Sequence, residues 1–280
     1  MIHIENLSFK YKNGRKPALD NISLTIHEGD FLGIIGGSGA GKTTLSYAIN
    51  GVIPHHFPGD FYGSVKVENT DTFDTTPGSL SLKIGSVLQD IDSQMVSFVV
   101  EDEILYGLEN FSIPGDEIEE RLLSALEAVG ILPLRYRTID SLSGGQKQKV
   151  AIAAIIALRP KVLILDEPTS ELDPKSSEQI FELLKRLNEK YGITIVVIEQ
   201  KIMLLSEYVK KLAVMNKGRI IFSGNVRDVL GHSSELEEIG IHCPRVVSLS
   251  NSLRDRGADV GGVWINLDEA EAGIRRMIYD

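Results

Sequence analysis

The segment Gly36-Gly37-Ser38-Gly39-Ala40-Gly41-Lys42-Thr43 constrains this chain of 280 residues more than any other. It fits the pattern G-x-x-x-x-G-K-[ST]. The apolar run Phe31–Ile35 precedes it, and an apolar helical stretch from Thr43 to Asn50 follows. Ordinary residue usage yields that pattern by accident in about one chain in a hundred of this length, and the strand–loop–helix setting adds to its weight. Glycines let successive backbone N–H groups converge on an anion, and the helix N-terminus adds positive potential. Lys42 then reaches the β- and γ-phosphates of a nucleotide as a point charge, and the Thr43 hydroxyl is suited to ligate magnesium. The competing reading is a glycine-rich turn that binds nothing.

The rest of the chain supplies an α/β frame for this loop. Lys161–Leu165 and Thr194–Ile198 are short, rich in β-branched residues and flanked by Gly or Pro, which predicts buried strands of a mostly parallel sheet. Between them, Asp173-Pro174 opens a helix on which Ile180, Leu183, Leu184 and Leu187 recur until Gly192. Strand, helix, strand in that order is a βαβ unit. Ile118, Leu122, Leu126 and Val129 form one apolar helical face, which predicts a helical insertion lying on the α/β core. After Lys217 no lysine remains, and helical patterns are expected at Val226–Leu230, Leu236–Ile239 and Asp268–Ile278. This tail reads either as an extension packed on the core or as a small helical subdomain for subunit contact.

Composition excludes several functions. The net charge of −10 and the absence of a basic block argue against a nucleic-acid surface, though not against phosphates held locally by backbone amides. The longest apolar run, Ala151–Leu158, is far short of the ~20 residues that cross a bilayer. The single Cys243 and an N-terminus without a signal pattern fit a cytoplasmic chain.

Two further features carry chemistry. Val162–Leu165 is an apolar strand ending in Asp166 and Glu167, where a buried strand normally hides acids. On a strand neighbouring the phosphate loop, Asp166 can hold magnesium through water, and Glu167 can act as general base toward an attacking water. Taken alone, the pair also reads as a solvated strand end. Leu142-Ser143-Gly144-Gly145-Gln146 opens the apolar helix from Lys147 to Leu158; Ser143 suits an N-cap, and Gly144 and Gly145 admit a phosphate to backbone amides. The chain therefore holds two helix-N-terminal anion sites, and one nucleotide needs one.

These residues resemble the ATPase subunits of ATP-binding cassette (ABC) transporters, with the family's marks in order over about residues 2–222. Tyr11 matches the aromatic that stacks on adenine, Gly36–Thr43 the Walker A loop with Thr44 beside it, and Gln89 the Q-loop. Leu142–Gln146 matches the LSGGQ signature, Asp166-Glu167 the end of Walker B, and Ser170–Asp173 the D-loop. The resemblance implies a P-loop NTPase (RecA-like) core with an antiparallel β N-terminal part. It implies an ATPase domain over residues 1–222, a helical subdomain inserted at about 90–158, and a C-terminal helical extension over 223–280. It implies ATP and Mg2+ as ligands, with Thr43, Gln89 and Asp166 at the metal and Glu167, Gln89 and Gln200 at the reaction. Two such domains face each other head to tail in that family, each ATP lying between one Walker A loop and the opposite signature. That explains the second anion site, and the D-loop match puts Asp173 among the nucleotide-binding residues, with Gly36 to Thr44 and Ser143 to Gln146.

Asn50–His55 and Gln89–Gln94 look like the ATPases of energy-coupling factor importers, and the tail including Leu236–Gly240 is similar to their C-terminal extension. These carry vitamins, their precursors or transition-metal ions. The expected partners are a second ABC ATPase subunit, an integral membrane coupling subunit and a substrate-binding membrane subunit, with this chain peripheral on the cytoplasmic face of the cell membrane. The apolar residues after Gln89 (Met95, Val96, Phe98, Val99) read either as a groove for a helix of the membrane subunit or as core. The chain departs from the family twice. Ile91 stands where proline is usual, and Gln200 stands where the family places a switch histidine. The histidines, at 3, 27, 55, 56, 232 and 242, are all distant in sequence. A glutamine amide donates a hydrogen bond but cannot become cationic. The expectation is a heterodimer whose partner carries the histidine. The alternatives are a nucleotide-binding partner that hydrolyses little, and a soluble cassette ATPase of DNA repair or translation.

Overall fold

The structure, a computed structural model, describes residues 1–279. β1 (Ile2–Tyr11), β2 (Leu19–Ile26) and β3 (Phe31–Gly36) lead into α1 (Lys42–Ile49), followed by β4 (Gly59–Val67), β5 (Thr70–Asp71), α2 (Pro77–Ser81) and β6 (Ile84–Val87). The helical part holds α3 (Ile91–Gln94), α4 (Val100–Asn110), α5 (Gly115–Val129) and α6 (Gly144–Ile156). The chain then returns to strands with β7 (Val162–Asp166), α7 (Pro174–Tyr191), β8 (Thr194–Ile198), α8 (Ile202–Tyr208), β9 (Lys211–Asn216) and β10 (Arg219–Asn225). The tail is α9 (Val226–Leu230), α10 (Ser233–Glu238), α11 (Arg245–Asp255) and α12 (Leu267–Tyr279).

Two sheets organise these elements. An antiparallel sheet has the order β2-β1-β4-β5, and a second has the order β10-β9-β3-β8-β7-β6. Within the second, β9, β3, β8, β7 and β6 are parallel and β10 closes the edge antiparallel. Because strand side chains alternate, this sheet feeds two cores. Phe31, Ile35, Leu163, Leu165, Ile195 and Val197 pack with the helical part and α7. Leu32, Ile34, Val162, Ile164, Val196 and Ile198 pack with α1 and the antiparallel sheet. All five residues of β7 and of β8 are buried, as the apolar stretches Val162–Leu165 and Ile195–Ile198 lead one to expect.

One expectation is corrected. Asp166 and Glu167 do not lie on a strand neighbouring the phosphate loop, because β8 sits between β3 and β7. The βαβ unit β7-α7-β8 places β8 beside β7, in register Leu165 to Val197, and the other edge of β8 takes β3, Gly33 to Val197. The helical patterns of the tail are present, and α11 adds one that sequence periodicity missed. Its buried positions include Ser250 and Asn251 beside Val247, so the face that packs is half polar. A third small core of Val260, Trp264 and Ala270 belongs to the tail alone. Among the described residues no helix is long and apolar enough to cross a membrane.

Candidate functional site

The loop between β3 and α1 is built by close backbone approach. A Cβ on Gly36 would lie 2.3 Å from the Met215 carbonyl oxygen, and Gly41, at φ +101°, has room for none beside the Ala18 carbonyl. Gly37, Ser38 and Gly39 stand exposed at the rim, and Ala40 is buried beneath them. Lys42 is 7% exposed, and its ammonium donates to the carbonyls of Gly36 at 2.8 Å and Gly37 at 3.2 Å. The only cation of the loop thus lies across its mouth. Thr44 is buried under the loop, and its hydroxyl pairs with the Tyr11 hydroxyl at 3.1 Å. Phe57 meets Tyr11 edge-on and stacks on Tyr47, with centroids 6.3 and 5.6 Å away. This aromatic bracket was not singled out from sequence, where its residues are scattered over positions 11–57.

The acids come together because β6, β7 and β8 run parallel and end at one level. Glu167 follows β7, its amide donates to the Ile198 carbonyl at 2.8 Å, and its backbone is held at φ +48°. Its carboxylate accepts Nε2 of Gln200 on Oε1 at 2.6 Å and Nε2 of Gln89 on Oε2 at 3.1 Å. Of the three predicted residues of the reaction, Gln89 and Gln200 therefore both contact Glu167. Asp166, 8% exposed, is the last residue of β7. Burial raises its carboxyl pKa above the usual range; a hydrogen bond with the Thr43 hydroxyl opposes this, and the nearby Glu167 charge adds to it. A buried carboxylate beside a hydroxyl, both hard oxygen donors, fits Mg2+. Among the described residues, no cluster of three or more His, Cys, Asp or Glu offers a metal cage of its own.

The second glycine pair begins α6. Ser143 caps it: its hydroxyl accepts the Gln146 amide at 3.4 Å, and its own amide donates to Gln146 Oε1 at 3.0 Å. A Cβ on Gly144 would come within 3.2 Å of Leu172, and one on Gly145 within 3.2 Å of Ser176. Asp173 caps α7, with its carboxyl held below the usual range by the Ser176 hydroxyl and amide. A cleft lined by Gln89, Leu142, Gly144, Glu167 and Leu172 lies at this junction, and among the described residues none from 36–43 lines it. Ile91, which stands where the family usually has proline, opens α3, where Asp90 caps by accepting the Ser93 amide at 3.1 Å.

Sequence reasoning passed over Glu199, Lys201 and Thr169. Glu199 is 2% exposed; it accepts the Thr169 hydroxyl at 2.7 Å and the amides of Gln200 and Lys201 at 2.8 and 3.2 Å. The available signal was a charged pair flanking Gln200 directly after the apolar run Ile195–Ile198.

Comparison with known proteins bears on this geometry. Residues 19–170 match the ABC transporter family. An ABC transporter ATP-binding protein of Pyrococcus horikoshii is 41% identical over 257 residues, 92% of this chain and 90% of its own length. The energy-coupling factor transporter ATP-binding protein EcfA1 of Clostridium novyi is 36% identical over 275 residues, 96% of this chain and 95% of its own. Among solved structures, cbiO1 of Clostridium perfringens, part of the ABC transporter complex cbiONQ, superposes with a TM-score of 0.76 and is 33% identical, covering 91% of this chain and 98% of that one. The chain belongs to the ABC transporter family, as one of its ATP-hydrolysing cassettes.

Proposed function

We propose that this chain is the ATP-hydrolysing subunit of an energy-coupling factor type importer for a vitamin, a vitamin precursor or a transition-metal ion. The likeness to EcfA1 and cbiO1 runs through the tail as well as the cassette, which supports that type over other transporters. The observation that carries the catalytic reading is the Glu167 carboxylate clasped by Gln89 and Gln200 at the end of β7. A carboxylate so oriented takes a proton from water as that water attacks the γ-phosphorus, while ADP leaves with the bridging oxygen.

In this reading Gly36 to Thr44 cradle the triphosphate, Lys42 exchanges its two carbonyl partners for β- and γ-oxygens, and Tyr11 stacks on adenine. Thr43, Asp166 and Gln89 would hold Mg2+, which would neutralise charge on the phosphates. Ser143, Gly144, Gly145 and Gln146 serve the nucleotide of a second cassette, as does Asp173 once it leaves Ser176. The domain limits are 1–222 for the cassette, with its helical subdomain at about 90–158, and 223–280 for a tail that serves subunit contact. Leu267 and Ile278 on α12 are 77% and 69% exposed, which supports a covered face there.

The membrane coupling subunit docks after Gln89. Val96 and Phe98 are 57% and 82% exposed, and Glu103, itself buried, holds their loop by accepting the Val96 and Ser97 amides at 3.0 and 2.8 Å. The chain is then peripheral, on the cytoplasmic face, in company with a substrate-binding membrane subunit. Gln200 favours one further reading, a heterodimer in which this chain's own site is slow.

Glu167→Gln tests the core of the proposal. It keeps ATP binding, stops turnover and traps a nucleotide-bound dimer, because the base is lost and the phosphate contacts remain. A Glu167→Gln complex that hydrolysed ATP at the parent rate would remove Glu167 from this role.

A further inference from the structure

We infer that Lys201 is a positioning residue that ties the turn Ser170–Asp173, and through it the start of α6, to the state of the chain's own nucleotide site. Its ammonium donates to three oxygens: the Thr169 carbonyl at 2.5 Å, the Leu172 carbonyl at 3.3 Å and the Ser177 hydroxyl at 3.1 Å. Those are all the donors an ammonium has. The two carbonyls belong to one turn, in which the Leu172 amide donates to the Thr169 carbonyl at 3.2 Å. The lysine therefore staples both ends of that turn and the first turn of α7 to the residue that follows β8 and Gln200. Among the described residues it makes no ion pair, although Glu199 and Glu167 lie close by in the chain's fold. The charge is spent on backbone carbonyls.

The geometry gives this staple two ends. Gln200 and Lys201 are consecutive, and their side chains act on different parts of the site: Gln200 holds Glu167, and Lys201 holds the turn. Glu199 fixes the segment that carries both, since it accepts both of their amides and the hydroxyl of Thr169, the residue at which the turn begins. Beyond the turn, Leu172 and Ser176 close against Gly144 and Gly145 so tightly that neither glycine accepts a Cβ without displacement. Any rearrangement at Glu167 that shifts Gln200 must therefore act on Lys201, on the turn, and on the glycine pair that begins α6. The route consists of direct contacts with little slack, which is what mechanical coupling between two sites requires. The inference rests on the reading of Gly36–Thr43 and Ser143–Gln146 as nucleotide sites.

The test is hydrogen exchange on the full-length chain with and without a non-hydrolysable ATP analogue and Mg2+, alongside calorimetry of analogue binding. In the parent, the analogue slows exchange of the amides at 170–177 and 144–147. Lys201→Met removes hydrogen bonds from a charged donor, so those amides exchange roughly 10–100-fold faster, no longer respond to the analogue, and affinity at the loop stays within about threefold. Lys201→Arg keeps the charge and restores the response. Ser177→Ala, which removes one of the three acceptors, gives a smaller increase in the same segments. Exchange and response in Lys201→Met equal to the parent's, with the analogue bound, would overturn the inference alone. A Lys201→Arg chain as uncoupled as Lys201→Met would overturn it too, by assigning the effect to packing. A parent chain that binds no analogue would overturn the nucleotide reading and the inference together.

Discussion

Replacing Gln200 by Ala removes the shorter of the two amide hydrogen bonds on Glu167, 2.6 Å against 3.1 Å for Gln89. A hydrogen bond to a charged group is worth about 1.5–3 kcal/mol, and partial access to water puts this one at the low end. Released on one oxygen, the carboxylate turns about its remaining bond to Gln89 and spends less time aligned with water. Since ~1.4 kcal/mol is a factor of ten in rate, kcat at this chain's own site should fall roughly tenfold. KM should hold, because the contacts of Lys42 and the loop are untouched. Gln200→His should raise kcat above the parent's, since imidazole donates the same bond and can also carry a proton or a charge at the γ-phosphate. The assay is steady-state phosphate release from the complex purified with its membrane partners, in a Ser143→Arg background. That background is expected to silence the partner site that this chain's signature would close. A Gln200→Ala complex that turned over at the parent rate would show that the clasp on Glu167 has no role in hydrolysis.

Lys42→Ala should weaken ATP binding at this chain roughly a hundredfold or more by calorimetry, since it removes the buried ammonium proposed to meet the β- and γ-phosphates; an unchanged affinity would dismiss the loop assignment. Phe98→Glu should change the melting temperature little, because the ring is 82% exposed, while abolishing assembly with the membrane subunit in pull-down. Gly273→Val should loosen the tail and leave ATP binding intact: a Cβ there would stand 2.3 Å from the Trp264 ring, and overpacking costs about 1–3 kcal/mol. Limited proteolysis reads it, with cleavage between residues 223 and 279 as the expected outcome and an uncut tail as the contrary one.

What could be read in the sequence was whatever depends on local pattern. The loop Gly36–Thr43 needs its glycines for backbone approach, the cap Ser143 needs its partner Gln146 three residues on, and β7 and β8 need continuous apolar residues because both faces are covered. Strand order does not depend on local pattern. Nothing in Val162–Asp166 says that β8 intervenes before β3, so the contact of Gln200 with Glu167 came from topology. Helix α11 was hidden because a buried position is held by Asn251, whose amide nitrogen donates to the Leu230 carbonyl and the Ser233 hydroxyl, where periodicity looks for an apolar side chain. Lys201 was passed over for a similar reason: its partners are mainly carbonyls, and every residue has one.

The charges around the strand ends give Gln200 a physical rationale that a missing histidine obscures. Asp166, Glu167 and Glu199 crowd the ends of β7 and β8, and a nucleotide adds several more negative charges to the same place. Lys42 and Lys201 both face backbone carbonyls, and among the described residues neither forms an ion pair with Glu167. A base must stay basic to take a proton from water. A full cation bonded to it would stabilise the carboxylate and lower its proton affinity. Two neutral amides orient the carboxylate, and they leave the phosphates to the Lys42 ammonium. Histidine at position 200 could match this when neutral and could exceed it by charging as the phosphate leaves. Glutamine keeps the orientation and gives up the titration. Hydrolysis at this chain's own site should therefore respond less to pH between ~6 and 8 in the parent than in Gln200→His, where an imidazole titrates in that window. Identical pH–kcat profiles for the two would break the link between the residue at 200 and proton handling at Glu167.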